Sequence, residues 1–229
     1  MWQVFKDAGK VLVFRIAQDK LAAFHYGHLL FGLVCTWLVG VGRYWDNPRA
    51  GLLQHLGIGS VVYIFVLSVV MWLVNLPFKS SGWRYRHVLT FIALTSPPAA
   101  LYAIPVERYF RFETAITLNG WFLVIVAIWR VALWLFYLQR QGQLSGGTAT
   151  VTTLFPLTAI VTLLTALNLE HVVFQVMAGL GEDRPSVNDG AYTVLVILSI
   201  LSIYSFIPIC IAYAVLAGRR LMAKKKNKK

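Results

Sequence analysis

The chain has 229 residues, of which 58% are hydrophobic, 14% aromatic and only 13% charged, and its formal net charge is +12. A soluble domain carries roughly 25% charged residues, so this composition leaves too little polar surface for water and puts most of the chain in lipid. The positive charge does not point to nucleic acid, because seven of the 21 basic residues follow Gly218 and none lies in an aromatic-interleaved soluble patch.

Taken in order, residues 1–20 are mixed. Phe5, Leu12 and Ile16 share one helical face, blurred by Arg15 and Asp19, which predicts a short cytoplasmic helix lying on the membrane. No cleavable signal peptide is expected, since the apolar run starts late and has no small-x-small site. Six spans follow, at about 24–41, 52–76, 88–104, 116–138, 150–169 and 191–217. Each approaches the ~20 residues that cross ~30 Å of hydrocarbon. The expected fold is an all-α polytopic bundle, a single membrane domain.

The third span is the distinctive one. It carries Ser96-Pro97-Pro98 at its centre, where each proline removes a donor and Pro97 turns Ser96 away from helical dihedrals. In lipid the freed backbone groups need partners inside the protein, so this helix should be kinked and enclosed. Gly57-x-Gly59-Ser60 in the second span offers a small-residue surface, expected to meet the third. The fifth span is rich in threonine, and the sixth contains Pro208. Between them, Val172, Val173, Val176, Met177 and Leu180 predict an interfacial helix leading into the turn at Gly181 to Pro185.

Charge sets the orientation. With the N-terminus inside and six spans, the inner segments hold 15 Lys and Arg and the outer loops five, as the positive-inside rule requires. Both termini are then cytoplasmic, and the basic tail 218–229 meets anionic lipid headgroups. Compact loops and this tail suit a bacterial inner membrane.

Candidate chemistry is sparse. The first outer loop packs Arg43, Trp45, Asp46 and Arg49 into a tight turn. It reads as a headgroup or small-anion site with the two arginines as phosphate forks, or as an aromatic belt with an Asp-Asn-Pro turn. Arg130 lies inside the fourth span and either snorkels to the inner headgroups or serves the interior. Glu170 and His171 sit where the fifth span leaves the membrane, with Arg108 or Arg111 as the expected partner of Glu170. His25 and His28 share a helical face at a spacing that can hold a metal, but with His55, His87 and His171 they read as interfacial residues, so no metal or cofactor is expected. Cys35 and Cys210 fall in opposite leaflets, too far apart for a disulfide. No phosphate-binding loop, Gly-x-Ser-x-Gly or His-Glu-x-x-His occurs, and no catalytic centre is expected.

From the second span through the fifth, the layout resembles the YIP family of small polytopic membrane proteins, whose eukaryotic members bind Rab GTPases. The resemblance rests on an apolar helix pair, the basic link Ser81-Gly82-Trp83-Arg84-Tyr85-Arg86, prolines at 97, 98 and 105, and a polar link from Leu144 to Thr150. The sixth span with its inward tail and the lack of a long acidic N-terminal region depart from that pattern. The function expected is non-enzymatic: organising lipids or partner proteins in the membrane, as an oligomer or a subunit. The alternatives are a small transporter or channel along the third and fifth spans, and a haem- or quinone-linked redox subunit.

Overall fold

A computed structural model describes residues 1–45, 50–78, 82–167 and 189–226, and every described element is helical. Helix α1 (Trp2–Leu12) buries Val4, Asp7, Ala8 and Val11, one stripe at helical spacing. Two residues past its end stands Phe14, whose φ of 59° takes the left-handed conformation usual for a glycine after a helix end. The expected N-terminal helix therefore forms and packs on the bundle, but through Val4, Ala8 and Val11 rather than the expected face of Phe5, Leu12 and Ile16: Phe5 is exposed, and Ile16 lies beyond the helix, in the core with Val11, Leu21 and Phe24. A one-turn α2 (Gln18–Ala22) leads into α3 (Tyr26–Tyr44).

The buried residues of α3 are His28, Gly32, Thr36, Gly40 and Tyr44, a row with a period of four. Such a row forms the ridge along which helices pack. Its glycines set how close the neighbours come. A Cβ on Gly32 would lie 2.8 Å from the Cβ of Ala93, and one on Gly40 would lie 2.6 Å from the Ser60 hydroxyl.

The second apolar run is interrupted. It forms α4 (Leu52–His55) and α5 (Ile58–Val74), broken at Gly57, whose φ is +67°. A side chain there would meet the Trp37 carbonyl oxygen at 2.7 Å, so close approach to α3 and the left-handed turn both require glycine. The Gly57–Ser60 surface thus serves the first apolar helix at this level rather than the third, while α5 and α6 meet elsewhere along their length.

The third apolar run also departs from one continuous helix. It is α6 (Tyr85–Leu94), wholly buried from His87 onward, followed by 3-10 turns at Pro97–Ala103 and Val106–Arg108, with a 41° bend at the break. Ser96 N–H donates to Ala93 O at 3.1 Å and Ala99 N–H to Ser96 O at 2.9 Å. These short-range bonds take up backbone groups that the prolines exclude from an α-helical ladder. Helices α1, α3 and α5 all pack against α6, the enclosure that a broken helix needs in lipid.

Three longer helices complete the fold: α7 (Phe112–Arg140), α8 (Gly146–Ala166, with Pro156 inside) and α9 (Asp189–Lys226, with Pro208 inside). Helix α9 packs on α8 and α7, and α8 also touches α5. The basic tail is no separate segment as far as Lys226, because α9 continues through it. Helices α7, α8 and residues 194–225 of α9 are long and apolar enough to cross a membrane, and the bent pair Tyr85–Leu94 with Pro97–Arg108 makes a fourth if it counts as one broken crossing. Helix α5 is apolar but shorter.

Side-chain bonds tie several helix ends together. Trp129 in α7 donates to Leu12 O at 2.9 Å, Trp83 before α6 packs on Trp134 of α7 at 6.3 Å, and Tyr213 of α9 donates to Val74 O at 2.7 Å. The start of α6 and the ends of α1, α5, α7 and α9 accordingly gather at one end of the bundle.

Candidate functional site

The break at Ser96-Pro97-Pro98 organises the polar groups of the other end. The Thr36 hydroxyl donates to Gly32 O at 2.8 Å and lies 2.6 Å from the Ser96 hydroxyl. Thr36 has one proton, so Ser96 is the donor between them. Both residues are buried, and this bond anchors the turn to α3. From there the 3-10 segment runs between α3 and α7 and delivers Tyr102 to two arginines.

The first is Arg43, near the end of α3, whose guanidinium lies 5.3 Å from the ring of Tyr102 and 5.3 Å from that of Tyr44. The second is Arg130 on α7, close enough for its charge to act on the Tyr102 hydroxyl, which also has Tyr63 as an electrostatic neighbour. The Nη2 of Arg130 is buried and has no hydrogen-bond partner. Helical side chains lean toward their own N-terminus, which carries the guanidinium away from the Arg140 end of α7 and toward Tyr102. Neither Arg43 nor Arg130 has a carboxylate partner among the described residues.

Beside this cluster, Arg108 lies over the Trp45 ring at 4.3 Å. Arg43 lies in the last turn of α3 rather than in the loop expected to hold it, Trp45 directly follows that helix, and the groups facing them, Tyr102 and Arg108, come from the chain beyond the break. Asp46, Arg49, Glu170, His171 and the segment from Val172 to Leu180 lie outside the described residues.

At the opposite end, Asp7 is buried and accepts from Gln3 Nε2 at 2.9 Å and from His28 Nε2 at 3.5 Å. His28 Nδ1 accepts the His25 N–H at 3.4 Å, and His25 Nδ1 accepts the Gly27 N–H at 3.0 Å. Those acceptor roles put the His28 proton on Nε2, aimed at Asp7. His25 and His28 thus cap α3 and hold α1, and His28 is a core residue rather than an interfacial one. Among the described residues no group of three or more His, Cys, Asp or Glu is placed to hold a metal. Cys35 and Cys210 are free thiols.

The threonines of α8 turn inward on their own helix. Thr150, Thr153, Thr158 and Thr165 each donate to the carbonyl four residues back, and Thr152 to Ala149 O. Such hydroxyls are satisfied locally, and this back-bonding tends to bend a helix. Thr162 is the exception, with a buried hydroxyl oxygen lacking a partner.

Sequence reasoning does not single out Thr36, Tyr102 or Asp7. The period-four row from His28 to Tyr44 is the available signal for Thr36; nothing local marks Tyr102. No family model matches the chain, and no curated protein or solved structure matches it either.

Proposed function

We propose that the chain is a non-enzymatic integral membrane protein that organises lipids or partner proteins, crossing the bilayer six times with both termini in the cytoplasm of a bacterial cell. The observation that carries this reading is the division of its surface. Apolar side chains are exposed along α5, α7 and α9, including Val66, Ile128, Ile200, Ile207 and Ile211. Cations with aromatic partners lie near both ends: Arg43 on Tyr102 and Arg108 on Trp45 at one, Arg86 on Tyr26 and Arg140 on Phe136 at the other. That is the division of a body that meets hydrocarbon at its waist and headgroups at its rims. The six crossings rest on the charge balance of the loops, and the likeness to the YIP family rests on sequence features alone. Purification from native membrane with identification of the bound lipids and proteins tests the reading. Movement of an ion or solute by the purified protein in liposomes, above the rate of empty vesicles, refutes it.

A transporter is the second reading, favoured by the bent segment and by Arg130, whose Nη2 is buried without a hydrogen-bond partner. Its test is Pro97→Ala with Pro98→Ala in a flux assay, where unchanged flux removes the third span from the path.

A further inference from the structure

We propose that Arg43, Tyr102 and Arg130 form a binding site for a phosphate group, either the phosphodiester of an anionic lipid or free phosphate. Three features converge there. Two guanidinium groups from different helices act on one phenol, neither has a carboxylate partner among the described residues, and one of them has a buried nitrogen with an unused donor. A buried charged donor left unmade is costly. An oxyanion that accepts from it removes that penalty. Arginine suits this role because its planar fork presents paired N–H donors at the spacing of phosphate oxygens. Tyr102 adds a hydroxyl that donates to the same group, and its ring supports Arg43 from one face.

The geometry also separates this site from the basic end of α9. Arg219, Arg220 and Lys225 are exposed and belong to one continuous helix, a diffuse attraction to any anionic surface. The site at Tyr102 is instead held by packed elements on either side, since the 3-10 segment contacts both α3 and α7 and Gly42 lets it close on Ala103. Its stoichiometry should be one phosphate for each chain. The inference rests on the lipid-organising reading only for the source of the phosphate, not for the site.

The test uses the full-length protein in neutral detergent, with thermal melting followed during titration by phosphatidylglycerol, by diacylglycerol of the same chains, and by inorganic phosphate. Saturable stabilisation by phosphatidylglycerol but not by diacylglycerol is expected. Equal protection by inorganic phosphate identifies free phosphate as the ligand, and protection by the lipid alone identifies the headgroup. Arg43→Gln and Arg130→Gln should each weaken binding by about tenfold or more, the loss of a charge-assisted bond, and Tyr102→Phe by less. Arg219→Gln with Arg220→Gln should bind as the parent does. Should the paired R43Q/R130Q variant bind like the parent, the site is overturned. If the tail variant alone loses binding, the lipid reading stands and this site falls. Equal protection by diacylglycerol overturns the site in the parent protein itself, so the outcome does not depend on any variant folding.

Discussion

Ser96 donates a hydrogen bond to Thr36 across 2.6 Å of buried interior, at the point where α6 gives way to a 3-10 turn. The bond joins residues 60 positions apart and fixes where the broken segment sits on α3. A buried hydroxyl pair of this kind contributes about 1 kcal/mol, and a donor left unmet costs about 1–3 kcal/mol. Thr36→Val removes the acceptor and strands the Ser96 donor; Ser96→Ala removes the donor and leaves Thr36 bonded to Gly32 O. The first substitution should therefore lower the melting temperature in detergent more than the second. The double variant should lose less than the sum of the two, a coupling that a double-mutant cycle reads directly.

Glycine packing makes a prediction of sign. Gly32→Ala would bring a Cβ to 2.9 Å from the backbone of both Ala93 and Leu94, atoms that cannot rotate away. Separating α3 from α6 to admit it should cost about 1–3 kcal/mol, as overpacking generally does. Gly120 in α7 has open space around its would-be Cβ, and alanine there should gain about 0.5–1 kcal/mol from the helix backbone. Equilibrium unfolding of the two variants should move in opposite directions; a loss of similar size in both contradicts the close packing of α3 on α6.

What can be read without coordinates follows from the range over which each feature acts. Long apolar runs specify α7, α8 and α9 because hydropathy sums over twenty residues at a time, and prolines 97 and 98 mark their own break because the missing N–H is a local fact. Gly57 is opaque for the opposite reason: it ends α4 and allows α5 to start because the Trp37 carbonyl lies against it, and nothing between Leu52 and Leu76 says so. The site divides likewise. Arg43 and Arg130 stand out as charges in apolar sequence, whereas Tyr102 becomes important only because the 3-10 turn carries it between α3 and α7. A helix at α1 is visible in the spacing, but the face read there, Phe5, Leu12 and Ile16, is not the one that packs, Val4, Ala8 and Val11, and spacing does not say whether lipid or protein will cover it.

Asp7 gives that last question an experimental form. Its carboxylate, buried in α1, accepts from Gln3 and from His28 at the start of α3. Asp7→Ala leaves the His28 Nε2 proton without an acceptor and removes the polar tie between the two helices, at a cost of about 1–3 kcal/mol. Hydrogen exchange should speed up across the amides of residues 2–12 while those of α6 keep their protection. Unchanged exchange in α1 would mean that Val4, Ala8 and Val11 hold it in place unaided.

The basic end of α9 has a structural task as well as an electrostatic one. Helix α5 stops at Val74, and its last carbonyls have no partner within the helix. Tyr213 donates to Val74 O at 2.7 Å, and Lys224 Nζ donates to Pro77 O at 3.0 Å. A cation beside a helix C-terminus also meets the negative end of its dipole. The Tyr213 ring is stacked on Phe155 of α8 at 4.3 Å and 8° and meets the edge of Phe78 at 5.8 Å. Tyr213→Phe keeps both ring contacts and should lose only the hydrogen bond, about 1 kcal/mol. Tyr213→Ala removes three elements' common contact and should lose distinctly more. Lys224→Ala should cost least, since its chain is partly exposed and water can replace it. The melting temperature in detergent should drop furthest for Tyr213→Ala, less for Tyr213→Phe and least for Lys224→Ala. If Lys224→Ala proved the most damaging of the three, the tail rather than the ring would be what holds α9 to α5.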